Sequence, residues 1–154
     1  MARCSDDTPP RCPLPLVALA LAACGADRSW PTEAADRAAF ERARGTVLPA
    51  DAEPRFVLVR RDLAPRLLVF DAHGAGAVTD AIDAPADRAL ALVLHGEDAL
   101  QVDVPALQIR RYLPADLPGA FGVALPGGAP CELTLRAGDV EWRALLRPRP
   151  AERR

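Results

Sequence analysis

The sequence predicts an all-β domain, an antiparallel Greek-key β-sandwich with one short helix ahead of it. From about residue 56 onward, apolar residues alternate with polar or small ones in short runs, the period of a strand with one buried face. Glycine and proline punctuate these runs at the short spacing of sandwiches and barrels. Apolar residues make up 50% of the 154, enough for a domain with a real core.

The first element is an apolar run, Leu14 to Ala23. About ten residues is the length of a signal-peptide core, half of what a bilayer-crossing helix needs. Pro13 and Pro15 at its entrance do not suit a spanning helix. The run closes on Leu21-Ala22-Ala23-Cys24, with small residues that let the chain lie extended in a peptidase cleft. These four positions resemble the lipobox of bacterial prolipoproteins. The resemblance implies cleavage between Ala23 and Cys24 and a thioether-linked diacylglycerol on Cys24. It also implies a lipid anchor in the bacterial cell envelope, facing the periplasm or the outer membrane. Upstream charge is balanced, Arg3 and Arg11 against Asp6 and Asp7. An ordinary cleaved secretory signal and a retained buried segment are the other two readings of this run.

The expected organisation is a signal peptide over 1–23, a tether and short helix over 24–46, the β-sandwich over 47–147 and a basic tail over 148–154. Removal of the signal leaves about 130 residues, one domain. The helix spans 33–44, with Thr32 as N-cap, Glu33 in the first turn and Gly45 as its stop. Its apolar side is mostly alanine plus Phe40, which predicts weak packing, as a peripheral helix or spacer.

Strand candidates follow in order. Residues 56–59 and 67–70 are short apolar runs. Leu90, Leu92 and Leu94 alternate with Ala91, Val93 and His95; Leu100, Val102 and Val104 alternate with Gln101 and Asp103. Phe121, Val123 and Leu125 repeat the pattern, as do Cys131, Leu133 and Leu135. A turn at Ala137-Gly138-Asp139 leads into a last strand with Val140, Trp142 and Ala144 facing in. Prolines 105, 114, 118, 126 and 130 fall between or at the ends of runs, where no ladder donor is lost.

Composition excludes several functions. With 19 basic and 21 acidic residues the chain has no basic field for nucleic acid. Every basic side chain is arginine. Beyond the signal the only serine is Ser29, in the tether, so no serine nucleophile is available and an enzyme is not expected. Cys4 and Cys12 leave with the signal and Cys24 is consumed by lipid. Cys131 is then the single thiol, and no intramolecular disulfide can form.

From Arg88 to Arg147 the order of elements resembles a cupredoxin, the copper-binding β-sandwich of plastocyanin-type proteins and of the periplasmic domain of cytochrome oxidase subunit II. A strand at 90–94 leads to the acidic turn Gly96-Glu97-Asp98. The run Val102 to Ile109, carrying Val104-Pro105-Ala106-Leu107, comes next, then Leu113-Pro114, a strand at 121–125, Pro126-Gly127 and a final hairpin. In that family, copper sits between a histidine after the acidic turn and a cysteine, a histidine and usually a methionine around the last loop. Here the first position falls near Leu100 or Gln101. The last hairpin aligns in two ways, with either Cys131 or Leu135 at the ligand cysteine, and 136–154 holds no histidine, cysteine or methionine. The resemblance therefore implies a cupredoxin-like domain without its usual copper ligands and without a cofactor. Such a domain would serve as an interaction or accessory scaffold, with a respiratory or copper-handling envelope complex as the partner class. Two alternatives are a copper-binding or electron-transfer protein with an atypical site built from Cys131 and His95, and an unrelated β-sandwich lipoprotein.

Individual side chains have plainer expectations. His95 reads as a strand-end surface histidine, and Cys131 as a core residue sharing a face with Leu133 and Leu135. Asp71 and His73 sit in a glycine-flanked solvated turn. Asp80, Asp83, Asp87, Glu97 and Asp98 read as a solvated acidic face, and 147–154 as a frayed basic end that could touch anionic headgroups.

Overall fold

The structure, a computed structural model, describes residues 34–125 and 128–149. The lipobox at Leu21 to Cys24, the Thr32 cap, Glu33, Pro126-Gly127 and the tail beyond Arg149 lie outside the described residues.

Helix α1 (Ala34–Arg44) comes first. Ten strands follow: β1 (Glu53–Val59), β2 (Leu67–Phe70), β3 (Gly76–Thr79), β4 (Ala81–Ala84), β5 (Leu90–Gly96), β6 (Leu100–Val104), β7 (Ile109–Leu113), β8 (Gly119–Val123), β9 (Cys131–Ala137) and β10 (Val140–Pro148). They form two five-stranded sheets, in the orders β3-β2-β1-β5-β8 and β4-β10-β9-β6-β7. Leu90, Leu92 and Leu94 of β5 share one buried core with Leu133 and Leu135 of β9 and with Trp142 and Leu146 of β10. The two sheets therefore face each other across that core.

The sheets are mixed, which corrects the antiparallel expectation. β1 runs parallel to β5, from Glu53 opposite Leu90 to Val59 opposite Gly96. β10 runs parallel to β4, from Leu145 opposite Ala81 to Pro148 opposite Ala84. Side-chain alternation has a period of two whichever way the neighbouring strand runs. The pattern thus marks the buried face and carries no information on direction.

Three strands escape the alternation pattern. β3 and β4 are four residues each and rich in alanine. The chain changes sheets at the single residue between them, Asp80. Its carbonyl accepts the Leu145 N–H at 2.7 Å, and Thr79 Oγ1 accepts the Ala81 N–H at 3.0 Å. Gly76 opens β3 because the Phe70 ring lies over it; a Cβ there would stand 2.0 Å from Phe70 Cδ1. β7 is an edge strand whose Arg111 sits opposite the core residue Val102. Directly opposed residues share a face, so a charge stands in the inward row. That breaks the apolar rhythm and blunts the edge against pairing with another chain.

The largest correction concerns the weak packing expected of α1, which is the peripheral helix of the two readings. It lies on the outer face of the first sheet, and Phe40 is fully buried there with Ala39, Ala43, Phe56, Leu58, Phe70 and Val93. The Phe40 ring meets Phe56 edge-on at 5.2 Å between centroids and Phe70 at 5.3 Å. Alanines at 39 and 43 let the helix approach closely, and the sheet supplies the large side chains that the helix lacks. β5 is consequently buried along its whole length. Its Leu-Ala-Leu-Val-Leu run is that of a strand covered on both faces.

Replacing Phe40 by Ala is expected to cost about 3–4 kcal/mol of unfolding free energy, read from the urea midpoint. A spacer helix would show a change below about 0.5 kcal/mol.

Candidate functional site

The two side chains that an atypical copper site would need do not meet. Cys131 points into the core between the sheets. His95 lies on the other side of the first sheet, beneath α1, where Arg42 reaches it. His95 is 4% exposed, so it is a buried group and not the surface histidine expected. The covering helix is what the sequence pattern did not reveal.

The positions that the cupredoxin resemblance assigns to copper ligands do not fit the ion. Leu100 and Leu135 are aliphatic chains in the core and have no lone pair to donate. Gln101 spends its amide on Asp103, donating from Nε2 to Oδ2 at 2.8 Å. Cys131 is buried, and burial pushes its thiol above the ordinary range, away from the thiolate that binds metals. Among the described residues no group of three His, Cys, Asp or Glu side chains could hold a metal ion.

The end of the core where β6 begins beside the end of β9 is closed by the chain's own groups. Residues 60–65 fold across it. Trp142, 1% exposed, donates its Nε1–H to the Arg60 carbonyl at 2.9 Å. Arg61 donates from Nε to Asp98 Oδ2 at 2.6 Å. The Arg143 N–H donates to the Pro65 carbonyl at 3.1 Å.

Outside the first sheet, at the same end, α1 overhangs a cleft of about 270 Å³. His95 and Leu58 form its floor; Asp36 and Arg42 come from the helix, Glu97 and Asp116 from loops. Arg42 Nη2 lies 3.5 Å from His95 Nε2. A guanidinium only donates, so a hydrogen bond between them requires a bare, accepting Nε2. Asp116 lines the cleft beside the ring. Asp116 reaches it from a left-handed conformation, φ 59°, and its own N–H donates to the Gly96 carbonyl at 3.0 Å. Asp36, 6% exposed, accepts from Arg60 Nη1 at 2.7 Å. Burial first, then the Arg42 charge, pushes the imidazole below its ordinary range, against smaller upward pulls from Asp116 and Glu97.

The remaining sequence candidates disperse. Asp71 Oδ1 accepts the His73 and Ala75 N–H groups at 2.8 and 3.0 Å, so this carboxylate builds the turn that carries the exposed His73. Asp83, in β4, pairs with Arg147, and Asp98, in the turn between β5 and β6, pairs with Arg61. The acidic face is therefore no single site. Sequence reasoning did not find the convergence on Glu53, where Arg55 lies at 2.6 Å, Arg88 at 3.2 Å and Arg149 closes the group. Burial raises this carboxyl, but Arg149 and Arg55 outweigh it and hold it below the ordinary range.

No protein-family model matches the chain, and no curated protein matches it. One solved structure with a similar chain is described as the mixed disulfide intermediate between a thioredoxin-like protein and subunit II of cytochrome c oxidase. The likeness has a TM-score of 0.48 at 11% sequence identity and covers 70% of this chain and 89% of that one. Similarity of this degree carries no functional argument, and the site is interpreted from its own residues.

Cys131 yields a direct test of this geometry. A thiol reagent should modify it on the order of a hundredfold more slowly in the folded protein than in denaturant. Comparable rates in the two states would contradict a core position.

Proposed function

We propose that this chain is a lipid-anchored protein of the bacterial envelope whose cupredoxin-like β-sandwich is an interaction or accessory scaffold, neither a copper carrier nor an enzyme. One observation carries the reading. Leu100, Gln101 and Leu135 stand where the resemblance puts copper ligands, and they are spent on core packing and a half-buried hydrogen bond. A fold kept without its metal donors retains its surfaces as the means of action.

Strand pairing supports the resemblance over an unrelated β-sandwich. The last hairpin, β9–β10, lies in the sheet that faces β5 across the core, as a Greek-key cupredoxin requires. The anchor rests on Leu21 to Cys24. Several acyl chains hold a protein firmly where one holds it marginally, at roughly 0.8 kcal/mol per buried methylene. Periplasmic exposure follows from that address. The partner class, a respiratory or copper-handling envelope complex, rests on the cupredoxin resemblance alone.

Produced in a bacterial host, the full chain should enter the detergent phase, with a diacylglyceryl mass on an N-terminal Cys24. Cys24→Ala should remain uncleaved and unacylated. A mature protein that begins elsewhere and carries no acyl group would overturn the anchor. Loaded with Cu(II), the purified protein should show no intense thiolate-to-copper absorption. A strong band that disappears in Cys131→Ser would overturn the scaffold.

A further inference from the structure

The cleft under α1 contains a buried titratable group that the scaffold reading does not use. We infer that His95 is a proton-operated latch on α1: protonation of its ring expels Arg42 and releases the helix from the first sheet.

The Arg42 contact favours the neutral ring. With Arg42 Nη2 at 3.5 Å, Nε2 accepts from it only as a bare nitrogen. A proton on Nε2 would set two donors against each other and two positive charges side by side, in a site where the ring is 4% exposed. The cation set against the protonated ring belongs to α1, so the strain falls on the helix side.

The charged groups around the ring are Asp36 and Arg42 on α1, Arg60 after β1, Glu97 after β5 and Asp116 in the β7–β8 loop. Glu97 and Asp116 favour the imidazolium, but burial and Arg42 outweigh them. Asp36 is occupied by Arg60 and does not offset Arg42. Ordinary carboxylates and guanidiniums keep their charge through the range in which histidine titrates. The other histidine, His73, is exposed in the β2–β3 loop and lines no part of the cleft.

The sign follows from linkage. The folded-state value lies below the ordinary 6.5, so the unfolded or undocked chain binds the proton more readily. Docking is fully stabilised above that ordinary value and weakens as pH falls through it towards the folded value. Release uncovers Phe56, Leu58, Phe70 and Val93 on the outer face of the first sheet. If Cys24 is the lipid anchor, as proposed above, release also lengthens the spacer. Its limit grows from about nine residues and roughly 30 Å to nearly thirty residues and roughly 95 Å.

The test is amide hydrogen exchange on the full chain at about pH 7.5 and about pH 5, corrected for the intrinsic rate change. Protection of the α1 amides should fall about tenfold at the lower pH, while the amides of β9 and β10 hold. His95→Gln, which keeps an acceptor for Arg42 and cannot be protonated, should abolish the α1 response. Should that variant fail to fold, Arg42→Met at an exposed position should diminish it, leaving the part that burial of the ring causes. An unresponsive α1 in the unmutated chain, or an undiminished response in the variant that folds, overturns the latch. Lipid on Cys24 is read separately by mass, so a missing anchor and a missing latch give different results.

Discussion

The double burial of β5 organises this molecule. Its inward row, Leu90, Leu92 and Leu94, fills the space between the sheets. Its outward row begins with Ala91 and Val93, small enough for a helix to approach, and ends with His95. β1 runs parallel along one side of it and β8 antiparallel along the other. A polar outer row on β5 would leave α1 no surface, and Phe40 would lose the pocket made by Phe56 and Phe70. Burial of that one ring stabilises the docked helix by roughly 2–3 kcal/mol, a large part of what an 11-residue helix requires to stay ordered.

The two ends of the first sheet are held by different chemistry. At the end where β1 begins, Glu53 gathers Arg55, Arg88 and Arg149 and so ties β1 to the β4–β5 connection and to the chain after β10. Planar guanidinium forks suit this shared use of one carboxylate, which lysine would serve less well. The Glu53 carboxyl lies below its ordinary value of 4.5, so this contribution is complete above that value and is lost only as pH falls below it. At the other end the contact is Arg42 on a neutral His95, which fails at a higher pH. Mild acid therefore loosens the helix end while the Glu53 end still holds the sheet together.

Much of the β pattern was legible because one face of most strands meets water. In β9 and β10, Cys131, Leu133, Leu135, Trp142, Ala144 and Leu146 point inward, and Glu132, Arg136, Glu141 and Arg143 outward. The turn between them was legible through Gly138, whose φ of 61° is the left-handed region that glycine favours. What stayed hidden depends on partners. Strand direction leaves no mark on alternation. β3 and β4 are too short and too small to declare themselves, and Arg111 masks β7. The burial of His95 depends on Phe56 and Phe70, distant residues that draw α1 onto the sheet; no local pattern encodes that contact. The Glu53 cluster joins residues 53, 88 and 149, a convergence that exists only after folding.

Arg61 is the centre of the tie that closes one end of the core. It donates to Asp98 of the acidic turn at 2.6 Å, and its charge also feels Asp139 of the β9–β10 turn. The hydrogen bond to Asp98, then the charges of Asp98 and Asp139, raise its already high affinity for the proton. Trp142 extends the tie inward by holding the Arg60 carbonyl next to it. A guanidinium and an indole N–H thus link the segment after β1 to the β5–β6 turn and to β10. Cys131, the one cysteine among the described residues, serves as a core side chain, and burial that raises its pKa suits that role and opposes metal binding.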